Sequence, residues 1–330
     1  MKKLYSIFIL TFLAQSLSAQ YKSALDYSNQ SIFDIVNIKE ENIDIGLWAL
    51  IIAKEYDNSV DVQKYLKKLD SMSTEIKIML VDREKDMDKF LATKMFLYEP
   101  GKWNNYKPFS YDLEDPLGHI LEHQLLSNYI DSRKGNCVSM PTLFLALMER
   151  VDPTVPFVGV KAPLHLFCRL EDRQTGDSWN VETTNGGNPA RNQWYIDEMN
   201  ISQTAINSGL YLKDLTKKEY IAELIGPLIH KYRRDGKFEK ALKYTDLLLK
   251  LSPESDVGLV QKGALLDEIG YQKLKEETLT EKEKKYYHDE AEKYINKAFA
   301  LGWKPESKEE RKEYLKSVKT KLQKTKSEGK

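Results

Sequence analysis

Arg133-Lys134-Gly135-Asn136-Cys137, followed by Val138-Ser139-Met140-Pro141-Thr142-Leu143-Phe144-Leu145-Ala146-Leu147-Met148, decides how the chain is read. Met140, Leu143, Phe144, Leu147, Met148 and Val151 recur at helical spacing and form a single apolar face. Pro141 is tolerable near the start of such a helix, where the first N–H groups have no intrahelical partner. Pro153 lies just past the end. A cysteine is therefore set immediately before the N-terminus of a buried helix.

After that helix the apolar period changes from helical to two. Val155 to Val160, Leu164 to Leu170 and Trp179 to Thr184 read as strands, with Gln174-Thr175-Gly176-Asp177 as the turn between the last two. A helix followed by antiparallel strands is an α+β arrangement. On the middle strand, alternation puts Leu164, Leu166, Cys168 and Leu170 on an apolar face and His165, Phe167, Arg169 and Glu171 on the other. On the returning strand Asn180, Glu182 and Thr184 share a face, and the turn brings Glu182 roughly opposite His165 to Arg169. Cys168 and His165 thus point opposite ways, and a Cys137–Cys168 disulfide is disfavoured by that parity.

Upstream, Ile32 to about Phe96 reads as helices, from apolar residues such as Leu47, Leu50 and Ile51, then Val62, Tyr65, Leu66 and Leu69, then Ile76, Met79 and Leu80. Tyr98 to Asp115 is a loop rich in aromatics, and a short helix is expected over Leu117 to Ile130. Downstream, from about Thr216, the chain is helical again. Tyr232, Ala241 and Pro253 fit the offsets of a tetratricopeptide repeat, with Gly236 in its turn. A second unit, from Leu259, Gly263 and Leu266 to Ala291, Ile295 and Ala298, is split by a charged insertion over roughly Gln272 to Asp289. The expected organisation is a leader over residues 1–19, an α+β domain over 20–215, helical repeats over 216–303 and a charged tail over 304–330.

The leader reading rests on Lys2 and Lys3, the apolar run Leu4 to Ala14, and the small residues Ser16, Ser18 and Ala19. The run is too short to span a bilayer, so cleavage and export are expected, to a bacterial periplasm or beyond. No stable membrane insertion is expected. The 50 Lys and Arg balance 50 Asp and Glu, and no segment carries the basic excess of a nucleic-acid binder.

Cysteine hydrolases need a thiol, a base to take its proton, and a group that orients the base. The aligned dipoles and free N–H groups of a helix start favour negative charge, and the same groups can receive an oxyanion. Cys137 is the candidate nucleophile, His165 the base, and Glu182 the group that orients it, with Asn180 as an alternative on the same face. No cofactor or metal is required. His119, Glu122 and His123 match an inverted zinc-binding spacing, without a downstream ligand motif.

Three segments carry a resemblance: Arg133-Lys134-Gly135-Asn136-Cys137, Gly159-Val160-Lys161-Ala162-Pro163-Leu164-His165, and Trp179-Asn180-Val181-Glu182-Thr183-Thr184-Asn185-Gly186-Gly187. Together they resemble the transglutaminase-like superfamily over roughly Leu47 to Gly187, in the bacterial branch that adds C-terminal tetratricopeptide repeats. The resemblance implies a papain-like core with a Cys-His-acid triad, which falls on Cys137, His165 and Glu182. Where the family usually has Asp, this chain has Glu182, one methylene longer. It implies acyl transfer on a peptide or amide through a thioester at Cys137. The alternative, drawn from relatives that lack the Cys, is a non-catalytic periplasmic adaptor binding a protein through the groove or the helical repeats.

Overall fold

The computed structural model describes residues 30–116, 118–276, 279–309, 311–313 and 316. The expected leader over 1–19, and most of the tail over 304–330, lie outside them. A 3-10 turn over Ile32–Asn37 opens the described chain, followed by α1 (Ile45–Tyr56), α2 (Val62–Leu80) and α3 (Asp86–Tyr98). Asp44 and Asp61 cap α1 and α2 by accepting the N–H groups of Leu47 and Lys64, which satisfies donors that the helix leaves unpaired. A loop then leads to the short strand β1 (Ser110–Tyr111), a 3-10 turn over Leu121–Gln124, α4 (Leu126–Ser132), β2 (Lys134–Gly135) and α5 (Ser139–Val151). Strands β1 and β2 pair in parallel just ahead of Cys137.

α5 is the central helix. Eleven of its thirteen residues are buried, because α1, α2, α3 and α4 surround it on one side and a sheet covers the other. That sheet is an antiparallel meander of β3 (Phe157–Ala162), β4 (His165–Glu171), β5 (Ser178–Glu182) and β6 (Asn188–Ala190), in that order. Leu166, Cys168, Leu170 and Val181 turn to the core around α5.

The chain continues through α6 (Asn192–Glu198), α7 (Gln203–Asn207), α8 (Lys217–Glu223), α9 (Gly226–Arg234), α10 (Phe238–Leu251), α11 (Asp256–Lys275) and α12 (Glu281–Ala300). The last four pack as successive neighbours. Gly236 takes φ 69° in the turn between α9 and α10, a left-handed conformation that glycine adopts without steric cost. These helices share one continuous core with α1 and α5: Ile225, Leu228, Ile229, Ala241 and Leu248 are buried in the same cluster as Leu50 and Leu147.

Four expectations need correction. Leu164 does not lie on the core face. It occupies the second position of the two-residue β3–β4 turn with φ 54°, and it is 72 % exposed. The opposite sheet face is not a bare polar surface, because Phe167 is fully buried in a second cluster with Val160, Tyr195, Ala205 and Tyr211. The segment that supplies this cover, from β6 to Leu212, carried no clear apolar period. The third strand stops at Glu182 and not at Thr184, since Thr183–Asn185 form a 3-10 turn. Finally, the supposed insertion over Gln272 to Asp289 extends helices: α11 runs to Lys275 and α12 begins at Glu281.

Buried ions tie the sheet to the helical hairpins. Lys161, on β3, reaches Glu223 at 2.8 Å and also contacts Asp256. Tyr211 donates to Asp256 at 2.5 Å, and Ser255 donates to Glu223 at 2.9 Å. Burial alone would discharge Lys161, but the Asp256 and Glu223 carboxylates outweigh it and hold the ammonium charged. Removing one partner of such a network strands the others. Lys161→Ala is expected to lower unfolding free energy by about 3–5 kcal/mol in denaturant titration. Lys293→Ala, which breaks an exposed pair with Glu290, is expected to cost less than about 1 kcal/mol.

Candidate functional site

Cys137 sits in the turn between β2 and α5. Three contacts fix that turn. Asn136 Oδ1 accepts the N–H groups of Val138 and Ser139 at 3.0 and 3.2 Å, while the Asn136 N–H donates to Ser139 Oγ at 3.1 Å. Ser139 Oγ in turn donates to the His123 carbonyl at 3.0 Å. Gly135 is required by close approach: a Cβ there would lie 2.5 Å from the Tyr129 ring and 2.8 Å from Ser139 Oγ. The Asn136 side chain thus takes up two of the helix-start donors expected to serve an oxyanion. The Cys137 N–H forms no hydrogen bond among the described residues, so it is the donor left for that purpose.

The β3–β4 hairpin delivers the histidine. Ala162 pairs with His165, and Pro163 and Leu164 make the turn, with the left-handed Leu164 aiming its carbonyl at the thiol. Cys137 Sγ donates to Leu164 O at 3.7 Å, and the Cys137 side chain acts on the His165 ring to raise its pKa. His165 Nε2 donates to Glu182 Oε2 at 2.8 Å, which leaves Nδ1 for the thiol. The three residues singled out from sequence are therefore brought together. Asn180 is not: it accepts from Arg169 Nε at 2.8 Å and donates to Asn192 at 2.7 Å, away from the histidine.

Both oxygens of Glu182 are anchored. Oε1 accepts the backbone N–H of Thr184 at 2.9 Å and its hydroxyl at 2.6 Å, while Oε2 also accepts the Tyr195 hydroxyl at 2.8 Å. The extra methylene relative to aspartate is accommodated by this cradle at the strand end. Tyr195 was missed by sequence reasoning, because it lies on α6, a short helix with no apolar signature of its own. Its ring stacks on Phe167 with centroids 4.1 Å apart.

The electrostatics follow from this geometry. Burial works against a charged His165, but the Glu182 carboxylate and the hydrogen-bonded Cys137 outweigh it and push its pKa up to about 10. Burial likewise works against a charged Glu182, but His165 and the donors from Thr184 and Tyr195 bring it down to about 2. Cys168 is fully buried and donates to the Pro141 carbonyl at 3.8 Å. Burial first, then Glu182, pushes its thiol well up, so it stays an unreactive core side chain. Both cysteines are free thiols.

The inverted zinc spacing does not converge. Glu122 and His123 lie on the 3-10 turn over Leu121–Gln124, with His119 in the irregular chain ahead of it, and not on one α-helix. Glu122 accepts the Tyr56 hydroxyl at 2.7 Å, and His123 Nδ1 faces Asp112 at 3.0 Å. No cluster of three metal-ligating side chains occurs among the described residues. Of the aromatics noted from sequence, Phe109 is buried and Trp103 donates to the Met95 carbonyl. Tyr106 of the same loop is exposed, as is Trp194 on α6. A groove of ≈ 1020 Å³ opens elsewhere, where Tyr56, Tyr65, Glu122, Asp131 and Lys231 meet. None of the three candidate residues lines it.

Residues 63–224 match the transglutaminase-like superfamily, and this stretch holds all three residues. The match begins after Leu47 and runs beyond Gly187, so it takes in the sheet's second cover and α8. A UPF0162 protein of Buchnera aphidicola subsp. Baizongia pistaciae is 22 % identical over 165 residues, covering 50 % of this chain and 60 % of that protein. The chain therefore spans about 60 % of the length of the relative it matches. No solved structure matches the chain.

The His165–Glu182 pair also sets a pH dependence of stability. His165, raised in the folded state, contributes fully below its ordinary value of 6.5 and loses that contribution as pH rises through about 10. Glu182, lowered, contributes above its ordinary value of 4.5 and loses it as pH falls through about 2. Both shifts describe one shared interaction and do not add. Glu182→Gln is expected to remove on the order of 3 kcal/mol near pH 7 and to flatten the pH dependence of urea unfolding between these limits.

Proposed function

We propose that the chain is an exported cysteine hydrolase acting by acyl transfer, with Cys137 as nucleophile, His165 as general base and acid, and Glu182 as the group that orients the ring. The observation that carries this reading is the line Cys137–His165–Glu182, with the carboxylate locked on both oxygens and one backbone N–H left free at the cysteine. The superfamily match over the same stretch supports it.

The chemistry balances as two half-reactions. With the Cys137 thiol proton already resting on His165 Nδ1, Cys137 Sγ attacks the carbonyl carbon of a peptide or amide. The tetrahedral oxyanion receives the Cys137 N–H. As the C–N bond breaks, His165 returns its proton to the leaving amine, and an acyl thioester remains on Cys137. Water then attacks the thioester carbonyl, His165 accepts the water proton, the C–S bond breaks, and the sulfur leaves with the bonding pair beside the charged His165, restoring the resting pair as the carboxylic acid departs. Water is the acceptor that requires no second binding site. Glu182 fixes the tautomer and stabilises the imidazolium without leaving its place.

Export rests on the first nineteen residues; among the described residues no helix is long and apolar enough to cross a membrane. The four helices α9–α12, packed as successive neighbours, fit a tetratricopeptide-like role beside the domain. The groove lined by residues of α1, α2, α4 and α9 favours a second reading, an adaptor that docks a protein partner there and leaves Cys137 idle.

Iodoacetamide alkylation of the folded protein at pH 6, followed by peptide mapping, separates the two. The hydrolase reading expects Cys137 to label at least roughly tenfold faster than a model thiol, which is almost wholly protonated at that pH. It expects His165→Ala to abolish that advantage and Cys168 to stay protected. Labelling of Cys137 at the model-thiol rate, indifferent to His165→Ala, would favour the adaptor.

A further inference from the structure

We propose that Tyr195 is a positioning residue of this site: by donating its hydroxyl proton to the carboxylate oxygen that His165 also uses, it limits how strongly Glu182 pulls on the His165 ring and fixes that ring's orientation. The inference rests on the reading of Cys137, His165 and Glu182 as the reacting groups.

Glu182 has two oxygens with different duties. Oε1 is held only by Thr184, through its N–H and its hydroxyl. Oε2 is shared between His165 Nε2 and Tyr195 Oη, each at 2.8 Å. Two donors on one oxygen divide its charge, so each bond is weaker than it would be alone. Tyr195 is fully buried, and burial, with Glu182 second, pushes its hydroxyl well up. It therefore remains a donor throughout the pH range in which the protein is folded.

No other group near the carboxylate can take this place. Tyr98 on α3 and Cys168 on β4 sense Glu182 electrostatically, but burial keeps both neutral and neither hydrogen-bonds it. Arg169 on β4 is occupied by Asn180, Asn192 and Asp214. Cys137, in the turn before α5, donates to the Leu164 carbonyl and forms no hydrogen bond with Glu182.

The ring itself adds a mechanical constraint. Tyr195 stacks on Phe167 at 9°, and the His165 centroid lies 6.0 Å from Tyr195 and 6.2 Å from Phe167. His165 is thus walled by a two-ring stack while its Nε2 is tethered. Trp194 meets Tyr195 edge-on at 4.9 Å, closing the stack from the surface side.

The experiment compares Tyr195→Phe with Thr184→Val in the full chain. Each removes one hydroxyl from Glu182, but only the first removes it from the oxygen that His165 uses. The readouts are the His165 ring titration by NMR and the pH profile of Cys137 alkylation. Tyr195→Phe is expected to raise the His165 midpoint by about half a unit or more and move the alkaline limb of the profile with it, as strengthening one bond to a charged group implies. Thr184→Val is expected to move it less. An unmoved or lowered midpoint in Tyr195→Phe, or a shift no larger than in Thr184→Val, overturns the proposal.

Wild-type protein supplies a readout that needs no variant. The Tyr195 hydroxyl proton, sealed from solvent on a carboxylate, is expected as a slowly exchanging NMR signal, and a freely exchanging one overturns the proposal. Failure of the hydrolase reading is seen separately. A sluggish wild-type Cys137 with a shifting His165 midpoint retains the role of Tyr195 and loses the chemistry; a reactive Cys137 with a fixed midpoint does the reverse.

Discussion

The hydrogen bond between His165 Nε2 and Glu182 Oε2 is the constraint on which the rest of the arrangement depends. A carboxylate and an imidazolium this far from water are costly unless each satisfies the other and the remaining lone pairs find donors. Here every oxygen lone pair facing the protein is met: Thr184 twice on one side, Tyr195 and His165 on the other. The β5 strand must end at Glu182 for this to happen, because the Thr183–Asn185 turn is what bends the Thr184 N–H back onto the side chain. The second apolar cluster around Phe167 must exist too, since without α6 there is no Tyr195 and the acid lies open to solvent.

The larger architecture serves the same end. α5 is enclosed on all sides, which fixes the turn that carries Cys137, and the Asn136–Ser139–His123 chain holds that turn to the loop before α4. The sheet is held against the helical hairpins by Lys161 and its two acids, so the hairpin that aims His165 is braced at β3, four residues from the histidine. Leu164 holds a left-handed backbone at the site, φ 54°. Its carbonyl accepts from the Cys137 thiol at 3.7 Å, next to the histidine in the chain.

Much of this was legible in the sequence, for identifiable reasons. The α5 helix announced itself through six apolar residues on one face, and strand parity separated His165 from Cys168 and placed Glu182 across from it. Parity failed at Leu164, where a Pro-initiated turn and not a strand decides the conformation. It failed again at Phe167, because a strand whose second face is covered by a distant segment reads the same as one facing solvent. Tyr195 could not be found from periodicity: α6 is seven residues long and buries one side chain, too little to produce a pattern. The Gln272–Asp289 stretch misled because long helical ends that extend past the core are charged on every side, as insertions are. The choice between Glu182 and Asn180 turned on Arg169, whose guanidinium claims the amide.

The protonation state of the His165 ring at neutral pH tests the central claim most directly. Ring nitrogen NMR of the wild-type protein across pH 5 to 9 is expected to show both nitrogens protonated throughout, with the Nε2 proton strongly shifted by its bond to Glu182. A ring that passes to the neutral form near 6.5, the value of an unperturbed histidine, would contradict the account, because Glu182 would then not be holding the charge on which the site is built.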